Sequence, residues 1–321
     1  MRLAGLLVAL TPLLLSQVPP LERATIGDLQ LDGGATLKDC LIAYRTWGQP
    51  NADRSNIVLF PSFFNGNTDD LAQYVKPGSI LDPAKYYIIA ADALGNGYSA
   101  SPSNYDPARG QAFPRITIHD MVNAHHRLLT QVLKIDRVDA IVGISMGGMQ
   151  AYEWLVRYPG FARRAVTIVA TPRMSERDIA LWAKAFPLGR REGPPKSDDA
   201  DASRRPATNP NKIWGAIEAV FHQIPKVRQP FNPLRQFEAL SRHDISLSFN
   251  RSLEQAGQRI QIPVLTIVAL KDQALSPQTP IEFARARNWP VVELDDPSGH
   301  AAFKGSAARI GQEIDRFLSQ R

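Results

Sequence analysis

The chain has 321 residues, 44% of them hydrophobic and 21% charged, with a formal net charge of +6. That is enough apolar material for one large domain or two small ones, and it excludes a chain disordered over most of its length. The basic residues are spread out rather than gathered into runs, which argues against a nucleic-acid groove, and the lone cysteine, Cys40, excludes an intrachain disulfide.

At the N-terminus, Met1-Arg2 supplies a short positive start, Leu3 to Leu15 is almost wholly apolar, and Ser16-Gln17-Val18-Pro19-Pro20 breaks the run. The apolar part is too short to cross a bilayer as a helix. Residues 1–20 read as a secretory signal peptide, although no clean A-x-A cleavage triplet is present. The alternative is a buried N-terminal helix or an uncleaved anchor. No later stretch is long and apolar enough to span a membrane, so the expected mature protein, 21–321, is exported (periplasmic or secreted) and free of the membrane. Cys40 has no activating neighbours and reads as a passive, buried or half-buried residue.

Residues 21–44 read as leading antiparallel strands. Apolar runs bounded by Pro, Gly, Asn or Asp then follow at Asn56–Phe60, Tyr86–Ala90, Val138–Val142, Ala165–Val169, Val264–Val268 and Val291–Leu294. Continuous runs of this kind suit strands buried on both faces of a parallel sheet. Segments of helical period alternate with them: Ile118–Leu133, Met146–Arg157, Ile281–Arg287 and Ala307–Leu318. Such alternation indicates one open α/β sheet. It stops between about 171 and 261. There Gly189–Asn211, rich in Arg, Asp, Pro and Ser, reads as a mobile loop, and helices are expected at Ser175–Ala185, Lys212–Gln223 and Ile245–Ala256. A helical insertion between two strands is a natural cap over the carboxyl edge of a sheet. No repeat and no independent second domain is evident.

The sharpest local signal is Gly143-Ile144-Ser145-Met146-Gly147-Gly148, set directly between a strand and a helical segment. G-x-S-x-G in that setting makes a tight turn that raises the serine hydroxyl above the sheet. The glycines are needed where backbone meets backbone. A serine hydroxyl needs a base and the base an orienting acid, in the chain order Ser, Asp or Glu, His. Asp272, just past the strand ending at Leu270, and His300, just past the next, fall on the same sheet edge as Ser145. The expected catalytic triad is therefore Ser145, Asp272 and His300. The expected oxyanion donors are the backbone N–H of Met146, at the start of the helix, and that of Phe64, or Phe63, in the loop Pro61–Asn67. His119, His125 and His126 precede the nucleophile and read as surface or core-edge residues. His222 and His243 fall in the cap. Asp295 and Asp296 share a loop with His300 and read as turn residues. No histidine pair has metal-ligand context, so neither metal nor cofactor is implied. The expected class is an α/β-hydrolase fold, a mostly parallel central sheet flanked by helices with a helical cap insertion, acting on a small-molecule acyl substrate; a homodimer is left open.

Several segments resemble the homoserine O-acetyltransferase family. They are Tyr44-Arg45-Thr46-Trp47-Gly48 followed by Asn51-Ala52-Asp53-Arg54-Ser55-Asn56, then Ile116-Thr117-Ile118-His119-Asp120-Met121-Val122. Ser145-Met146-Gly147-Gly148-Met149-Gln150-Ala151 with Glu153-Trp154 is nearly that family's nucleophile signature. Ser298-Gly299-His300-Ala301-Ala302-Phe303 is similar to its Gly-His-Asp-Ala-Phe, with Ala301 in place of Asp. The likeness covers about Tyr44–Thr171 and Val264 to the C-terminus, and it implies the same fold and triad. It departs in the cap. Where the family's arginine binds the homoserine carboxylate, the stretch Asp178–Phe186 places Phe186, leaving Lys184 or Arg177 as substitutes. The resemblance thus implies a serine-nucleophile acyl enzyme without carrying over a substrate-binding residue: a hydrolase of an ester or related acyl compound, or alternatively an acyltransferase using acyl-CoA.

Overall fold

The computed structural model describes residues 18–105, 113–185 and 231–320. Ten strands are present among them: β1 (Glu22–Thr25), β2 (Leu29–Gln30), β3 (Thr36–Leu37), β4 (Leu41–Trp47), β5 (Ile57–Pro61), β6 (Tyr87–Ala91), β7 (Val138–Ile144), β8 (Ala162–Ile168), β9 (Val264–Ala269) and β10 (Val291–Leu294). Eight form one sheet in the order β1-β4-β6-β5-β7-β8-β9-β10, and β2 and β3 form a separate antiparallel ribbon. β4 is antiparallel to both its neighbours, as expected for the leading segment, and from β6 to β10 every pairing is parallel. β5, β7 and β9 are buried along their whole length, which is why they read as unbroken apolar runs rather than as alternation.

Helices cover both faces. On one side lie α2 (Ile118–Arg127) and α3 (Met146–Arg157), which bury Ile118, Met121, Val122, Met149 and Trp154. On the other lie α1 (Thr68–Ala72) and the C-terminal α9 (Ala307–Ser319), which bury Leu71, Ile310, Ile314 and Phe317. Asn67 and Asp70 close a reciprocal capping box on α1, and Thr117 and Asp120 do the same on α2. Each satisfies N–H groups that a helix start leaves without partners.

α4 (Glu176–Ala185) and α5 (Phe231–Ser241) stand between β8 and β9, followed by α6 (Leu253–Arg259) and α7 (Gln278–Ala286), with α8 (Ala302–Gly305) after β10. The expected helix Ile245–Ala256 is not continuous. Leu247–Phe249 makes a single 3-10 turn, and Asn250 and Arg251 then take φ of 52° and 59°. Two successive left-handed residues end any right-handed helix. Ser252 opens α6 by accepting the Gln255 N–H. Ile118–Leu133 also divides, α2 running into a wider π turn at Leu128–Val132. Residues 1–17 of the expected leader (1–20), the loop 189–211 and the helix 212–223 lie outside the described residues.

Candidate active site

β7 delivers the chain to Ser145 and α3 carries it away, with Ser145 itself at φ 52° and ψ −120°. For a residue with a side chain this conformation costs on the order of 1–3 kcal/mol, so the surroundings must impose it. They do. The Ser145 N–H donates to the Ile168 carbonyl at 2.8 Å, and the Ser145 carbonyl accepts the N–H groups of Gly148 and Met149 at 2.8 and 3.0 Å. A Cβ on Gly143 would lie 2.2 Å from the Gly147 carbonyl oxygen, and one on Gly147 would lie 2.5 Å from that of Pro61. The elbow and the end of β5 therefore meet backbone against backbone.

Asp272 sits beyond β9 and is 7% exposed. Its Oδ1 accepts two backbone N–H groups of its own loop, Ala274 at 2.8 Å and Leu275 at 2.9 Å. His300 follows Gly299, whose φ of 59° and lack of a Cβ let the chain pass close to the Lys271 carbonyl; a Cβ there would be 2.6 Å away. The imidazole then bridges the two other groups: Nδ1 lies 2.7 Å from Asp272 Oδ2, and Nε2 lies 2.9 Å from Ser145 Oγ. A carboxylate accepts only, so the ring proton belongs on Nδ1 and Nε2 is left to accept the serine proton. The three residues expected to meet do meet, in an arrangement that can move a proton from Oγ to imidazole.

The loop after β5 is fixed from several sides. Ser62 donates its N–H to the Ala91 carbonyl, and its Oγ accepts the Ala93 N–H; Gln150 donates to the Ser62 carbonyl at 2.9 Å. The Asn65 N–H donates to Gln236 of α5 at 2.7 Å, and the second arm of that amide donates to the Leu94 carbonyl. Phe64 is buried, with Trp182 of α4 edge-on to it at 5.4 Å, whereas the Phe63 ring turns to Phe303 at 6.1 Å. Met146 occupies the first turn of α3, whose N–H groups point away from the helix beside Ser145.

Behind this loop lies a buried polar cluster that the sequence did not single out. Asp92, fully buried at the end of β6, accepts the Thr68 N–H and hydroxyl and the Asn96 amide, and Asn96 also donates to the Gly66 carbonyl. Burial pushes the Asp92 carboxyl up to about 7 against the opposing pull of those donors. Its position just past a strand end was a usable signal. Gln236, Trp182 and Asp178 were also missed; each acts through backbone groups far away in the chain, which leaves no local pattern.

The other expectations divide. His125 is fully buried, its Nε2–H on the Asp92 carbonyl at 3.1 Å, and burial lowers it to about 4, so it is a core residue rather than a core-edge one. His243 is buried against the Thr171 carbonyl and is likewise held down to about 4. Asp296 accepts the N–H and hydroxyl of Ser298, and Asp295 pairs with Lys271, both turn duties. Burial raises the Cys40 thiol to about 12. The Arg177 side chain is 68% exposed, its guanidinium 4.0 Å from Asp178. His222, Phe186 and the Lys184 side chain lie outside the described residues.

Residues 57–306 match the family model described as the alpha/beta hydrolase fold. Over 162 residues the chain is 43% identical to an ethyl acetate hydrolase of Pseudomonas veronii, covering 50% of this chain and 46% of that one, so the match spans about half the length of that relative. Over 329 residues it is 30% identical to a homoserine O-acetyltransferase of Chlorobium chlorochromatii, covering 89% and 92% of the two chains. An acetylester hydrolase from Corynebacterium glutamicum superposes with a TM-score of 0.75 at 27% identity, over 94% of this chain and 95% of that one. Sheet, elbow and sequence likeness agree: the chain belongs to the α/β-hydrolase family, in its homoserine acyltransferase-like branch.

Proposed function

We propose that the protein is a serine esterase that hydrolyses short-chain acyl esters through an acyl-enzyme. The observation that carries the reading is the unbroken hydrogen-bonded chain from Ser145 Oγ through His300 to Asp272. Ser145 attacks the ester carbonyl and passes its proton to His300 Nε2. The N–H groups of Met146 and Phe64 hold the oxyanion, and the alcohol leaves with the proton from His300. Water then attacks the acyl-enzyme with His300 as base and Asp272 orienting the ring. The ethyl acetate hydrolase and the acetylester hydrolase among its relatives support a small acyl group. A small-molecule acyl substrate is the only partner this reading requires.

A second reading, acyl transfer from acyl-CoA to a hydroxyl, differs only in what attacks the acyl-enzyme. It is favoured by the match to a homoserine O-acetyltransferase along nearly the whole chain. Among the described side chains of α4, Arg177 is 68% exposed and lies 4.0 Å from Asp178. The apolar leader supports an exported location, which cell fractionation tests. For the chemistry, steady-state hydrolysis of p-nitrophenyl acetate is compared in wild type and Ser145→Ala. Loss of kcat/KM on the order of 10⁵-fold or more is expected, and full activity in the variant removes the proposal. Product analysis with acetyl-CoA and homoserine decides between the two readings.

A further inference from the structure

The cap helix α4 reaches into the loop that carries Asp272 at two points. Asp178 and Trp182 stand one turn apart, on the same face of the helix. Asp178 Oδ2 accepts the Ser276 N–H at 3.0 Å, and the Trp182 indole Nε1–H donates to the Ala274 carbonyl at 2.8 Å. Both side chains are buried, Asp178 at 1% and Trp182 at 3% exposure. The carbonyl of Ala274 and the N–H of Leu275 belong to one peptide unit, and that N–H is one of the two that hold Asp272 Oδ1. A peptide that accepts a hydrogen bond at its oxygen becomes a stronger donor at its nitrogen, by roughly 10–30% per bond. The indole therefore acts on the triad carboxylate through a single intervening peptide. The same ring meets Phe64 edge-on and stacks on Phe237 of α5 at 6.4 Å. It touches at once the loop of the acid and the loop that offers the second oxyanion donor.

We propose that Trp182 is a positioning residue for the reaction, its indole N–H fixing the Asp272 loop through the Ala274–Leu275 peptide and its ring bracing Phe64. The cap is then a working part of the proton relay and not only a wall over the substrate. The inference rests on the serine-enzyme reading above.

Two variants separate the donor from the ring: Trp182→Phe, and 3-benzothienylalanine incorporated at position 182, which replaces the indole N–H by sulfur and keeps the shape. In both, kcat for p-nitrophenyl acetate is expected to fall about tenfold with KM within about twofold, the signature of an interaction that matters only in the transition state. The rate of Ser145 labelling by a fluorophosphonate should fall in parallel, and the downfield proton resonance of the His300–Asp272 hydrogen bond should shift. If the benzothienyl variant keeps wild-type kcat and an unmoved resonance, the clamp is refuted, whatever Trp182→Phe does. A wild-type protein that fails to react with the fluorophosphonate overturns the serine-enzyme reading itself, a different outcome from a labelled wild type with an indifferent variant.

Discussion

Replacing Asp272 by Asn puts the hydrogen-bond logic of the site to its hardest test. In the native protein Oδ1 accepts from Ala274 and Leu275, and Oδ2 accepts from His300 Nδ1. An amide has one accepting end. If its NH₂ turned toward the loop, two buried N–H groups would lose their acceptor, at about 1–3 kcal/mol each. The amide oxygen therefore stays on the loop and the NH₂ faces His300 Nδ1. Two donors cannot share that contact, so the imidazole proton moves to Nε2, where it blocks acceptance from Ser145. A wrong tautomer in an intact geometry costs about 10⁴-fold in kcat, equal to about 5 kcal/mol of transition-state stabilisation. The assay is steady-state hydrolysis of p-nitrophenyl acetate with a thermal melt on the same samples, and KM and Tm should change little. Asp295→Asn and Asp296→Asn serve as controls and should stay near wild type, since those carboxylates serve Lys271 and Ser298. A tenfold or smaller loss in Asp272→Asn, or an equal loss in either control, would refute the assignment of the orienting acid.

Stability should fall in acid through the two buried histidines. Burial lowers His125 and His243 from 6.5 to about 4, so each binds its proton more readily in the unfolded chain. Their contribution is full above pH 6.5 and is lost as pH falls toward 4, by about 3 kcal/mol per group at 1.36 kcal/mol per unit. Asp92, raised from 3.8 to about 7, slopes the other way, losing stability as pH rises through that range. The readout is therefore the difference in Tm between wild type and His243→Gln across pH 4–7, which should shrink as the pH is lowered; a pH-independent difference would exclude the linkage. Gly147→Ala should cost on the order of 2–4 kcal/mol and most of the activity, because its Cβ would stand 2.5 Å from the Pro61 carbonyl. A variant with wild-type Tm and kcat would show that the elbow and β5 can part without harm.

The sheet and the three-residue relay were legible because both depend on local signals. Buried parallel strands leave apolar runs, and the polar residues of the site follow directly on strand ends: Ser145 on β7, Asp272 beyond β9, His300 beyond β10. Helix boundaries read from periodicity alone failed where backbone conformation decided. Asn250 and Arg251 break the expected 245–256 helix by adopting positive φ, which no apolar pattern reports. α5 was not expected; its Pro233 falls within the first turn, where a missing N–H has no intrahelical partner. The supports of the site were invisible for another reason. Trp182 to Ala274 and Gln236 to Asn65 are side-chain contacts to backbone across 92 and 171 positions, and a tryptophan or glutamine in an amphipathic helix carries no mark of such a target.

The floor and the ceiling of the site differ in kind. Beneath the nucleophile the elbow closes on itself at Gly143 and Gly147 and meets β5 at Gly147 and Pro61, peptide against peptide, which leaves no room for a Cβ at either glycine. Around the acid and oxyanion loops the contacts are made by side chains instead, Phe64, Trp182, Phe237 and Gln236. Substitutions among them reach the acid and oxyanion loops through single contacts such as Trp182 to Ala274, while the attacking hydroxyl stays where the main chain has put it.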